Sequence, residues 1–175
     1  MKPLEFILAI DGRCASGKTT LANKLALEYH ANVFHMDDFY LPFNQREEQA
    51  GGHMDYQRLI DSVLIPLNLK QDVHYQSYNP HDDTYSELGI IEYRPCNIIE
   101  GSYSLYPLLT QYYTHCIVLD IDSHLQKERL KQRKNYESFL STWIPKEEAY
   151  FSYYSIYEKY PIYNMKEGEE NENRG

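Results

Sequence analysis

The sequence predicts an α/β protein. The expected architecture is a three-layer α/β/α sandwich with a mainly parallel sheet and a small β-hairpin insertion. Three observations lead there. Short apolar runs of strand length recur at Phe6-Ile7-Leu8-Ala9-Ile10, Asn32-Val33-Phe34-His35-Met36, Asn97-Ile98-Ile99-Glu100 and Cys116-Ile117-Val118-Leu119. Helically spaced stretches lie between them, and strands that alternate with helices build a parallel sheet covered on both faces. The first run passes straight into the glycine-bounded segment Gly12-Arg13-Cys14-Ala15-Ser16-Gly17-Lys18-Thr19, and a helix follows.

In chain order, Leu21, Leu25 and Ala26 set that first helix. Residues 41–54 hold Pro42, Asn44, Gly51 and Gly52, the composition of a mobile loop. Tyr56, Leu59, Ile60, Val63 and Leu64 repeat at helical spacing. Residues 73–78 and 90–94 are β-like runs around the turn Asn79-Pro80-His81-Asp82-Asp83, so a hairpin insertion is expected over about 73–94. A helix is expected around residues 105–113. A basic helix over residues 125–134 belongs to a lid of about 124–145, and another helix spans residues 146–157. Residues 1–163 then form one domain, and the acidic residues 164–175 a disordered tail.

The chain has 175 residues, enough for one domain with a real core, and a formal charge of -9 at pH 7. A nucleic-acid-binding surface would be basic, so no nucleic-acid partner is expected. No stretch is apolar and long enough to span a bilayer, and the chain enters its first strand at once, without a signal peptide. Cys14, Cys96 and Cys116 are odd in number and lack C-x-x-C spacing, which reads as reduced thiols in a cytoplasmic protein. Cys14 is either an oxidisable thiol or simply a small residue tolerated in its turn. The 18 tyrosines can stack on a base or ribose, or serve as amphipathic packing. A small-molecule partner is expected, and a homo-oligomer is compatible with the chain.

Residues 12–19 fit G-x-x-x-x-G-K-[ST], the phosphate-binding P-loop, between a strand and a helix as the motif requires. Its backbone N–H groups and the helix N-terminus attract a polyanion such as ATP. The nucleotide contacts are Gly12, Arg13, Cys14, Ala15, Ser16, Gly17, Lys18, Thr19 and Thr20. Lys18 reaches the β- and γ-phosphates, and the Thr19 hydroxyl can ligate Mg²⁺. In open parallel sheets ligands bind at the carboxyl ends of the strands, where this sequence places Asp37 and Asp38, Glu100, and Asp120 and Asp122. Asp37 fits a base for the attacking hydroxyl, with Asp38 competing, and Glu100 fits the metal. Asp120 also closes an apolar run as a metal-serving carboxylate would. Each is alternatively a cap or turn residue. Arg129 and Arg133, i and i+4, share a helix face that either closes over phosphates or is simply solvated.

Ile10-Asp11-Gly12 through Thr19, Met36-Asp37-Asp38-Phe39-Tyr40 and Ile98-Ile99-Glu100-Gly101, in that order, resemble the uridine kinase and phosphoribulokinase family over roughly residues 4–160. The resemblance implies a P-loop NTPase fold, ATP and Mg²⁺ as cofactors, and phosphoryl transfer to a hydroxyl of a nucleoside such as uridine or cytidine. It implies that Asp37 is the base, within a D-x-F-Y element that includes Tyr40, and that Glu100 serves the magnesium. It also places Asp55 near the ribose hydroxyls, Tyr78 and His81 on the pyrimidine, and Arg129 and Arg133 in the lid. The chain departs from the family at Gly51-Gly52-His53-Met54-Asp55, and at Arg133-Lys134, where the family has Arg-Asp. No arginine-rich segment follows. The chain instead runs through Phe139-Leu140-Ser141-Thr142-Trp143-Ile144-Pro145 to Glu147 and Glu148. Other acceptors left open are a sugar phosphate, a pantothenate-like acid and nicotinamide riboside. A partner-driven ATPase or nucleotide switch is the alternative of another class. Asn23-Lys24-Leu25-Ala26 lacks the aspartate of a guanine-reading N-K-x-D element.

Overall fold

The first apolar run becomes the central strand of the sheet. The computed structural model describes residues 4–165. Strand β1 (Phe6–Gly12) lies between two parallel neighbours, which is why it is apolar continuously rather than alternately. Helix α1 (Lys18–Tyr29) and strand β2 (Asn32–His35) follow, then a 3-10 turn at Met36–Phe39. Helix α2, residues 56–68, widens to π geometry at Ile60–Leu64. The insertion is two short antiparallel ladders. Strand β3 (Val73–Tyr75) pairs with β6 (Gly89–Ile91), and between them β4 (Tyr78–Asn79) pairs with β5 (Thr84–Tyr85). Strands β7 (Cys96–Glu100) and β8 (His115–Leu119) return to the sheet. Helices α3 (Ser123–Leu130), α4 (residues 136–153) and α5 (Ile156–Lys159) lead to β9 (Ile162–Tyr163). The sheet order is β2-β7-β1-β8-β9, and every neighbouring pair is parallel.

Successive side chains of a strand point to opposite faces, and the core divides accordingly. Ile7 and Ala9 of β1 enter one cluster with Phe34, Ile99, residues of α2, and Tyr150 and Phe151 of α4. Phe6 and Ile10 enter the other with Ile98, Leu119, and Leu21 and Ala22 of α1. Each such large apolar side chain contributes roughly 1.5–3 kcal/mol by leaving water. The register sets Ile10 and His35 opposite Glu100, and Gly12 opposite Leu119. The P-loop and the ends of β2, β7 and β8 therefore share one edge.

Several expectations change. Residues 105–113 form no α-helix. Tyr103 takes a left-handed φ of 76°, Pro107 lacks a donor, and a series of i to i+3 turns ends in a 3-10 turn at Thr110–Tyr112. The basic helix stops at Leu130, so Arg133 lies in the turn beyond it. Helix α4 begins at residue 136, ten residues before the expected 146, and β9 is a further strand. The segment expected as a mobile loop is instead packed at its end. Residues 51–54 are buried, the Leu41 amide donates to the His53 carbonyl at 2.9 Å, and Met54 bridges to Tyr40. Of the expected tail, residues 166–175 lie outside the described residues, while Met165 packs on the α1-side cluster. No helix among the described residues is long and apolar enough to cross a membrane.

Asp11 ties the sheet to the segment between β7 and β8. Fully buried, its carboxylate accepts from the amides of Gly12 (2.7 Å), Tyr103 (3.1 Å) and Leu105 (2.9 Å) and from the Tyr150 hydroxyl (2.8 Å). Burial pushes this carboxyl up to about 6, against the pull of its donors. Asp11→Asn sets an NH₂ group against two of those donors. The expected loss is about 2–6 kcal/mol, from about 1–3 per buried group left unpaired. Chemical denaturation checks this, and an unchanged midpoint would show that the four bonds contribute nothing.

Candidate active site

The P-loop joins β1 to α1. Gly12 has φ 137°, and a Cβ there would lie 2.1 Å from the Leu119 carbonyl oxygen, so no other residue fits. Gly17, at φ 97°, is the N-cap of α1. No side chain caps that helix, and no acidic residue stands in its first turn. Its amides and the positive end of its dipole are thus left to an anion. Lys18 is buried and donates to the carbonyls of Gly12 (2.8 Å) and Arg13 (2.9 Å). Thr19 donates its hydroxyl to Glu100 Oε1 at 3.1 Å. Ser16 is buried, and its Oγ has no partner among the described residues.

Two loop residues are held by later parts of the chain. Arg13 pairs with Glu148 and with Asp120 (2.6 Å), and its guanidinium lies 4.3 Å over the Tyr157 ring. Cys14 is buried, with Gln126 donating to its carbonyl (3.0 Å) and its sulfur (3.3 Å). Burial, and next the Glu147 charge, push the Cys14 thiol up to about 12. It stays protonated and poorly reactive, which favours the packing alternative.

The strand-end carboxylates now separate. Glu100 is buried at the end of β7, and His35 Nδ1 bonds its Oε1 at 2.5 Å, which raises the histidine above its ordinary value. Asp37 lines the cleft and accepts from the Tyr40 hydroxyl at 3.3 Å. Its side chain is open to solvent, with the cleft walls crowded around it. The hydration lost to that crowding, and then the Glu100 charge, raise its carboxyl, while Lys18 pulls it down. Asp38 accepts from the Tyr75 hydroxyl at 2.9 Å and does not line the cleft. Asp120 is occupied by Arg13, and Asp122 caps α3 through the amides of His124 and Leu125. Among the described residues, no group of three or more His, Cys, Asp or Glu side chains forms a metal cage of its own.

One cleft of about 1050 Å³ joins these elements, and Lys18, Thr19, Thr20, Asp37, Tyr40 and Glu100 line it. Arg129 and Arg133 line it as well. Arg129 donates to the Ala15 carbonyl at 2.9 Å, and Arg133 lies 5.5 Å over the Phe139 ring. Of the expected acceptor residues, Tyr40 and His81 reach the cleft and two do not. Asp55 caps α2, accepting from the Arg58 amide (3.0 Å) and its Nε (3.1 Å). Tyr78 is buried beside Tyr85 and donates to Asp83.

Sequence reasoning missed several lining residues. Ser102 and Tyr103 follow the Glu100-Gly101 pair directly, so proximity to that motif was an available signal. Glu147 sits in the charged run Lys146-Glu147-Glu148, which reads as a solvated face. In the structure it is buried, accepting from the Cys14 amide (2.9 Å) and the Ser102 hydroxyl (2.6 Å). Trp143 and Arg46 carry no local signal at all.

No protein-family model matches the chain, and neither does any curated protein sequence. Solved structures do match. A possible uridine kinase from Bacillus stearothermophilus superposes with a TM-score of 0.72 at 20% identity, over 91% of this chain and 89% of that one. A candidate fructose transport system kinase from Silicibacter sp. TM1040 superposes with a TM-score of 0.61 at 22% identity, over 85% and 79%. The chain has the α/β fold of the P-loop NTPases, in the form these kinase structures share.

Proposed function

We propose that the protein is an ATP-dependent kinase that phosphorylates a hydroxyl of a small molecule, with a nucleoside such as uridine or cytidine as acceptor. The observation that carries this reading is that the P-loop lysine, the Thr19–Glu100 pair and Asp37 all open onto one cleft. The fold shared with the two kinase structures supports it. The loop amides and the α1 N-terminus hold the phosphates, and Lys18 shifts from its carbonyl partners to the transferring group. Asp37, oriented by Tyr40, takes the proton of the attacking hydroxyl. Arg129 braces the loop at Ala15, and Arg133 faces the cleft from the turn beyond α3.

Thr19 and Glu100 fit Mg²⁺. They are two adjacent oxygen donors without a complete protein cage, the arrangement in which phosphates and water supply the remaining ligands. Bound there, the ion would neutralise phosphate charge. The reading needs no nucleic-acid or membrane partner.

The test is ADP release with and without uridine, cytidine, fructose, pantothenate or nicotinamide riboside, with the product weighed by mass spectrometry. Uridine or cytidine should stimulate release and gain one phosphoryl group. Slow hydrolysis indifferent to every acceptor would instead identify a nucleotide switch.

A further inference from the structure

Arg46, on the segment between β2 and α2, lines the cleft, yet phosphoryl transfer as described makes no use of it. Its Nε donates to the Leu41 carbonyl at 2.8 Å. Its guanidinium lies 4.1 Å over the Phe43 ring and 5.5 Å from the Tyr40 ring. Its Nη2 is enclosed and has no partner among the described residues. A guanidinium does not give up its proton at any ordinary pH, and an enclosed N–H without an acceptor is costly. Arg46 is thus a held guanidinium on the cleft wall whose donor capacity the described residues do not fully use.

Its surroundings narrow what could accept from it. The Tyr40 ring lies 6.1 Å from Trp143, and both line the cleft. Behind them His53 packs on Tyr40 at 5.8 Å and on Trp143 at 5.7 Å. Burial, then the charges of Lys146 and Arg46, push its imidazole down to about 4, so the wall is neutral at ordinary pH. Pro80 and His81 of the hairpin turn line the same cleft. An aromatic wall of this kind takes the face of a flat ring.

We propose that Arg46 is a specificity-determining residue, donating to a carbonyl oxygen of a neutral flat heterocycle held against Tyr40 and Trp143. This rests on the kinase reading and narrows its acceptor to a nucleoside whose base carries a carbonyl.

Steady-state kinetics with ATP and uridine test it in the wild type, Arg46→Ala and Arg46→Lys. The uridine KM should rise roughly tenfold or more in both variants, the scale of one charge-assisted hydrogen bond. The ATP KM and the kcat at saturating uridine should hold. Lysine should not rescue, because an ammonium lacks the planar fork. 2-Thiouridine and 4-thiouridine each exchange one carbonyl oxygen for a weakly accepting sulfur. The wild type should discriminate against one of them, and Arg46→Ala against neither. That cycle also decides the matter if a variant is less stable.

An unchanged uridine KM, or discrimination that persists without Arg46, would show that the arginine only braces Phe43. Preference for a sugar phosphate that Arg46→Ala abolishes would overturn the neutral ring in favour of an anion. If the wild type phosphorylates no nucleoside, the acceptor reading itself falls and the proposal with it. A uridine KM that stays normal in Arg46→Ala, in a protein that does phosphorylate uridine, overturns the proposal alone.

Discussion

Lys18→Ala is expected to slow phosphoryl transfer by roughly 10²–10³-fold while the protein stays folded, the usual cost of removing one charged contact to the developing transition state. The lysine is well placed for such a loss. Its side chain is buried in the loop and, among the described residues, bonds to the Gly12 and Arg13 carbonyls, neutral groups that leave its charge available to a phosphate. The fold should survive, because the Cys14 amide keeps its bond to Glu147 and Arg13 its pair with Glu148. Turnover measured beside a thermal melt checks both parts. Near-normal turnover in a folded variant would rule out a P-loop kinase.

Asp37→Asn should lower kcat by about 10²–10⁴-fold with ATP affinity unchanged, the range for removing a positioned base. Asp38→Asn should be mild, since Asp38 bonds Tyr75 and stands outside the cleft. The reverse pattern would move the base by one residue. The carboxyl of Asp37 is raised above the ordinary 3.8. A base must be ionised, so activity should fall on the acid side as pH drops through that raised value, and the fall should begin above 3.8. A pH–rate profile that stays flat down to that value would count against Asp37.

What could be read from the sequence was what is local. The P-loop is one contiguous segment whose glycines, lysine and threonine each answer a geometric need, and the strand before it and helix after it follow from short-range apolar spacing. Asp37 and Glu100 were legible because each closes an apolar run. Asp55 was misplaced although its cap was legible, since Arg58 stands three residues on in the position such a cap serves. Residues 105–113 have helical spacing at Leu105, Leu108, Leu109 and Tyr112, but the left-handed turn at Tyr103 and Pro107 decide the outcome. Asp11 reads as one more strand residue, because its Tyr150 partner is 139 positions away. Glu147, Trp143 and Arg46 reach the cleft only through tertiary packing, and the two residues of β9 are too few to show a period.

Glu147 and Glu148 both grip the P-loop, one on the Cys14 amide and the other on the Arg13 guanidinium. A terminal phosphate that takes the Cys14 amide must take it from Glu147. On the kinase reading, nucleotide capture would be a substitution, one anion leaving as another arrives, and the affinity a difference between two tenants of the same donor. Trp143 stands one helical turn before Glu147 on the same face of α4. Any retreat of that carboxylate that moves the helix also shifts the aromatic wall. On that reading, grip on the phosphate and the shape offered to the acceptor would be two ends of one lever.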